Sequence, residues 1–170
     1  MHLSVELRFP APVEAVGAML ADESFVRWRA ERSGGPGGEV VQVDVTGGAA
    51  GAFTVAVRRT LPTDQIPAHV RTLVGGGLEI RQAEAWEAQQ EEERRGTVSL
   101  EIAGAPVRLT GTVRLAPDAG GDGAGTVQTY EGEVRASVPL FGGAIEEAAA
   151  DAVRGALAAE ERAGREWLAR

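Results

Sequence analysis

Glu84 and Tyr130 are the residues of this chain whose types and placement suit proton transfer in an apolar setting. The stretch Leu78, Ile80, Gln82, Glu84, Trp86 keeps one parity throughout. An unbroken strand therefore turns Gln82 and Glu84 to the same dry face as Leu78 and Trp86. Tyr130 stands with Val134, Ala136 and Val138 on the inward parity of a later strand. A carboxylate and a phenol in an apolar pocket have shifted proton affinities and suit the roles of acid and base. Buried polar groups without partners cost about 1–3 kcal/mol each, so Gln82 and Glu84 need partners or water there. The alternative is a β-bulge that turns them outward, or a place at an open rim.

Other chemistry is thinly represented. His2 and His69 are the two histidines, one on the wet parity of a strand and one in a long connection, and no ligand-type spacing links them. No metal site is expected. The absence of cysteine removes disulfides, thiolate nucleophiles and cysteine-based metal centres. The glycine-rich stretches 34–38, 47–51 and 120–125 lead into strands, whereas a phosphate loop needs a helix N-terminus after it. They read as turns, and no cofactor is expected. A net charge of -8, from 25 acidic against 17 basic residues, disfavours nucleic acid and anionic membrane as partners. The tight arginine pairs Arg58-Arg59 and Arg94-Arg95 lie on or beside strands. No apolar run approaches the roughly 20 residues of a membrane span. Residues 1–9 alternate instead of forming a signal peptide, so a cytoplasmic location is expected.

These side chains must be held by a single domain over residues 1–170, a length that suits one core. Leu3, Val5, Leu7 and Phe9 alternate as a half-buried strand. Pro12 opens a short helix carrying Val13, Val16 and Leu20, and Phe25 and Trp28 mark a second. Strands follow with Val41, Val43 and Val45 inward, then Phe53, Val55 and Val57. The connection from Pro62 to Gly77 holds Pro67 and three consecutive glycines and reads as a mobile loop with one helical turn about residues 66–73. Four more strands run from Leu78 to about Ala88, through Val98, Leu100 and Ile102, through Val107 to Leu115, and through Tyr130 to Val138. The period then changes, and Ala144–Leu168 form a helix of about 37 Å. Its stripe is Ile145, Ala149, Ala152, Ala156, Ala159, Ala163 and Trp167, with Glu146 and Glu160 at the edge and Asp151, Arg154 and Arg162 opposite. About seven alternating strands make an antiparallel sheet with one dry face, which the long helix must cover in an α+β fold.

That order of elements, with Pro139-Leu140-Phe141-Gly142-Gly143-Ala144-Ile145-Glu146 joining the last strand to the helix, resembles the polyketide cyclase/START-like superfamily. This is the SRPBCC or helix-grip fold of the birch pollen allergen. Within it, Phe9 to Trp28 and Val138 to Glu146 are similar to a bacterial branch labelled as domains of unknown function. The resemblance implies a curved sheet around the helix and a deep cavity, which the superfamily uses for lipids, sterols, polyketides and plant hormones, and in some members for cyclisation or dehydration. It carries over no catalytic residue. The alanine stripe has two outcomes, close packing on the sheet or space for a guest.

With the resemblance, the expected function is binding of a lipid- or polyketide-like hydrophobic small molecule. Phe53, Val55, Trp86, Leu100, Tyr130, Ala149, Ala152 and Ala156 are the expected lining, with Glu84 as the polar member. The alternatives are a cyclase- or dehydratase-type enzyme using Glu84 and Tyr130, and an interaction domain without a cavity. Nothing in the sequence sets the oligomeric state.

Overall fold

Eleven elements follow one another in a computed structural model that describes residues 1–34, 37–62, 64, 68–72 and 78–170. They are β1 (His2–Phe9), α1 (Val13–Leu20), α2 (Glu23–Ser33), β2 (Val40–Gly47), β3 (Phe53–Leu61), α3 (Ala68–Arg71), β4 (Leu78–Trp86), β5 (Arg94–Ala103), β6 (Val107–Pro117), β7 (Thr126–Ala136) and α4 (Gly142–Leu168). The strands form one sheet in the order β1-β7-β6-β5-β4-β3-β2, with every neighbouring pair antiparallel. This is the helix-grip architecture expected from the element order.

The alternation of the strands decides the core. Leu3, Leu7 and Phe9 of β1, Phe53, Val55 and Val57 of β3, and Val113 and Leu115 of β6 are buried. Asp22 caps α2 by accepting a hydrogen bond from the Ser24 amide at 2.8 Å. At the middle of β6 and β7 two glycines, Gly111 and Gly132, face each other. A Cβ on Gly111 would lie 2.1 Å from the Glu131 carbonyl oxygen, so the strands approach there too closely for a side chain.

Helix α4 has 27 residues and spans about 40 Å. An aromatic cluster fixes its C-terminal end against α2: Trp167 lies 5.4 Å from Phe25 and 5.5 Å from Trp28, between ring centroids. Arg32 and Arg170 lie over Trp28 at 3.6 and 5.0 Å. The N-terminal half of α4 lies clear of this cluster.

The structure differs from the sequence reading in five places. Helix α4 begins at Gly142, two residues earlier than its alanines suggest, and β4 ends at Trp86. Ala152 is exposed, and the buried line of the helix is Ile145, Ala150, Leu157, Glu160, Ala163 and Gly164, because the space under residues 149–156 is open. Val41 is 51% exposed, since the β2–β3 register shifts between Val40 and Gln42 and throws it outward. In the connection after β3, Ala68–Arg71 form a single turn, while Pro67 and Gly75–Gly77 lie outside the described residues. No helix among the described residues is long and apolar enough to cross a membrane.

Candidate functional site

The register of β4 with β3 and β5 runs without a break, from Leu61 opposite Leu78 to Trp86 opposite Gly96. No bulge intervenes. Glu84 is therefore driven inward with Trp86, and it is 1% exposed. Three side chains receive it. Arg29 of α2 donates through Nη2 to Oε1 at 2.7 Å, Gln82 donates to the same oxygen at 3.0 Å, and the Trp86 indole donates to Oε2 at 2.9 Å. The sequence reading treats Glu84 as a carboxylate in want of a partner. Here both its oxygens are engaged, one of them in a buried ion pair.

Arg29 reaches a second carboxylate as well. Its Nη1 donates to Glu160 Oε2 of α4 at 3.3 Å, so one guanidinium ties α2 to both β4 and α4. Burial alone would lower the proton affinity of Arg29, but Glu84 and Glu160 outweigh it and raise that affinity above the ordinary value. Burial pushes the Tyr130 phenol well above its usual range, and the negative charges of Glu84 and Glu160 push it further. Tyr130 accordingly stays a neutral phenol, and its oxygen accepts from Gln128 at 2.7 Å.

Glu160 is held differently. Burial raises its pKa, Glu84 adds to the rise, and Arg29 and Arg59 oppose it. Because the folded value lies above the ordinary 4.5, the folded state binds this proton more tightly than the unfolded chain. Stability then falls as pH rises from 4.5 through the folded pKa, and levels off above it. We expect Glu160→Gln to be as stable as wild type or more stable at about pH 7, and to flatten the pH dependence across that window in chemical denaturation. A variant with an unchanged slope would show that Glu160 titrates as a surface group.

Next to this cluster lies a cavity of about 220 Å³. Its sheet wall includes Ile80, Leu100, Ile102 and Leu109, and its helix wall includes Ala149, Ala152, Ala156 and Leu157. The space exists because alanine occupies three helix positions where a larger residue would reach the sheet. Arg59, Gln82, Tyr130 and Glu160 place polar groups on the wall. Of the residues singled out from sequence, Leu100, Tyr130, Ala149, Ala152 and Ala156 line this space. Phe53, Val55, Glu84 and Trp86 are buried but do not line it, and the rings of Phe53 and Trp86, stacked at 6.1 Å, border a second pocket.

Sequence reasoning passes over Arg29, Arg59 and Gln128, and leaves Glu160 at the helix edge. All four are buried. The two arginine pairs are split by strand alternation: Arg58 and Arg95 pair outside with Glu79 and Glu93, while Arg59 and Arg94 point inward. His2 lies on the outer face beside Glu131 at 3.0 Å, and the His69 side chain lies outside the described residues. Among the described residues no three metal-binding side chains are grouped to hold an ion.

A profile of the family described as "Protein of unknown function (DUF2505)" matches residues 4–168. No match is found among curated proteins. Among solved structures, a protein from Thermus thermophilus superimposes with a TM-score of 0.57 at 18% identity, over 96% of this chain and 97% of its own. A STAR-related lipid transfer protein from Xanthomonas axonopodis gives a TM-score of 0.55 at 17% identity, over 98% of this chain and 85% of its own. A START superfamily protein from Mycobacterium smegmatis gives 0.54 at 13% identity, over 98% of each chain. At these identities the likeness is one of fold.

Proposed function

The chain belongs to the DUF2505 family, and we propose that it binds a small hydrophobic molecule in the cavity between the sheet and the N-terminal half of α4. The observation that carries this reading is the 220 Å³ of open space walled largely by aliphatic side chains, where close packing is the rule in a protein interior. The START and lipid-transfer proteins that share the fold support it. Binding pockets commonly run from about 300 to 1,000 Å³, so this space suits a short acyl chain or a small ring system better than a sterol. Leu100, Tyr130, Ala149, Ala152 and Ala156 would touch the guest, and Phe53, Val55, Glu84 and Trp86 would not.

The test is to fill the space. Ala156→Phe places a ring where the guest would lie, and at a real void such a change costs less than the roughly 1–3 kcal/mol of overpacking. Calorimetric titration with decan-1-ol is expected to show binding by the wild type and a loss of about tenfold or more in the variant, with a melting temperature close to wild type. A wild type that takes up no decan-1-ol, together with a variant that unfolds, would place the helix tightly on the sheet and end the binding reading.

A further inference from the structure

We propose that the guest is an amphipathic monocarboxylate whose carboxylate is held by Arg59 while its apolar body lies along Ala149 and Ala156. This rests on the cavity being a binding site and names the chemistry of what enters it.

Three arginines are buried in this protein among the described residues, and two of them are compensated. Arg29 has two carboxylates, Glu84 and Glu160. Arg94 donates to the carbonyls of Ala49, Gly51 and Glu87 at 2.6–2.9 Å and lies over the Phe53 ring at 5.2 Å, so it ties the β2–β3 turn to the end of β4. Arg59 is the exception. It is 6% exposed, its Nη1 donates to the Ser33 hydroxyl at 2.7 Å, and its Nε, like that of Arg94, is buried with no acceptor, so one hydroxyl stands where Arg94 has three carbonyls. No carboxylate among the described residues comes within ion-pair distance of it, and Glu160 is committed to Arg29.

A buried cation held by one hydroxyl is poorly compensated. Its surroundings act accordingly: burial lowers the proton affinity of Arg59 and the charge of Arg29 lowers it further, with Glu160 opposing. Unlike Arg94, Arg59 borders the cavity, beside Ser33 and Thr60. The other charged residues of the lining are Glu160, which is paired with Arg29, and the exposed Arg108 and Glu131, which carry opposite charges, so Arg59 is the buried cation there without a carboxylate among the described residues. A guanidinium is a planar donor fork matched to a carboxylate, so the guest best fitted to this wall carries one.

Calorimetric titration of the full chain with decanoate, decan-1-ol and decylamine tests the assignment. The wild type is expected to bind decanoate about tenfold or more tightly than decan-1-ol, with decylamine weakest. Arg59→Met should erase the preference for decanoate over decan-1-ol while decan-1-ol still binds. Arg59→Lys, which keeps the charge without the fork, should keep part of the preference and covers the case in which the methionine variant melts early. Equal affinity of the wild type for decanoate and decan-1-ol overturns the carboxylate assignment while the cavity reading stands. Uptake of none of the three overturns both. A decanoate preference that persists undiminished in the Arg59 variants places the anion elsewhere and overturns the role of Arg59.

Discussion

Arg29→Met is expected to destabilise the protein by about 3–5 kcal/mol, the usual cost of removing one partner from a buried ion pair. For a chain of this size that lowers the melting temperature by roughly 10 °C. The methionine keeps most of the volume, so the loss comes from charge: Glu84 would be left with only the neutral donors Gln82 and Trp86, and Glu160 would lose its hydrogen-bonded cation. Replacing all three charges at once, as Arg29→Met with Glu84→Gln and Glu160→Gln, should recover much of the loss, because a neutral cluster carries no ionic desolvation penalty. Arg154 serves as the control. It meets Asp151 at 2.9 Å on the solvent face, and Arg154→Ala should change stability by less than about 0.5 kcal/mol. Equal melting shifts for Arg29→Met and Arg154→Ala would mean that water reaches the Arg29 cluster and that its pairs are ordinary surface contacts.

The contrast between those arginines explains what the sequence can and cannot show. Strand alternation places the buried apolar residues of the sheet, because it reports which face a side chain takes and nothing else, whereas on α4 the helix period finds Ile145 and Ala163 but misses Ala150. The same rules place the polar residues that a search for chemistry passes over. Arg29 is one helical turn after Phe25, Arg59 continues the parity of Phe53, Val55 and Val57, and Gln128 shares that of Tyr130. Glu160 sits three residues from both Leu157 and Ala163. What the pattern lacks is pairing: α2, β4 and α4 are far apart in sequence, and only the closed sheet brings Arg29 to Glu84 and Glu160. An inward carboxylate whose partner is unseen reads as a candidate acid or base, and for Glu84 the partner is a buried guanidinium.

The cavity is half legible for a related reason. A stripe of alanines states that little volume is present, but the distance of the helix from the sheet is set at other points along α4. The aromatic contact with α2 at Trp167 is one of them. The exposure of Ala152 follows from that distance and not from its place on the apolar stripe.

A second such point yields the other large effect. Gly164 packs on β1 so closely that a Cβ there would lie 2.4 Å from Phe9 Cε1 and 3.3 Å from Met19 Cε, and both of those side chains are buried. The ring of Phe9 has little room to withdraw, so the helix itself must lift. Gly164→Leu is therefore expected to cost about 3 kcal/mol or more, the upper range for overpacking a filled core. Even Gly164→Ala should destabilise, although alanine is the better helix former by about 1 kcal/mol. Gly155 on the same helix separates the two effects, since a Cβ there meets nothing within 4 Å. Gly155→Ala should accordingly raise the melting temperature while Gly164→Ala lowers it, and trimming the ring by Phe9→Leu should restore part of what Gly164→Ala removes. Thermal melts in which both alanine variants gain stability would show that α4 does not rest on Phe9 at Gly164, and the height of the cavity roof would then be set by the aromatic cluster alone.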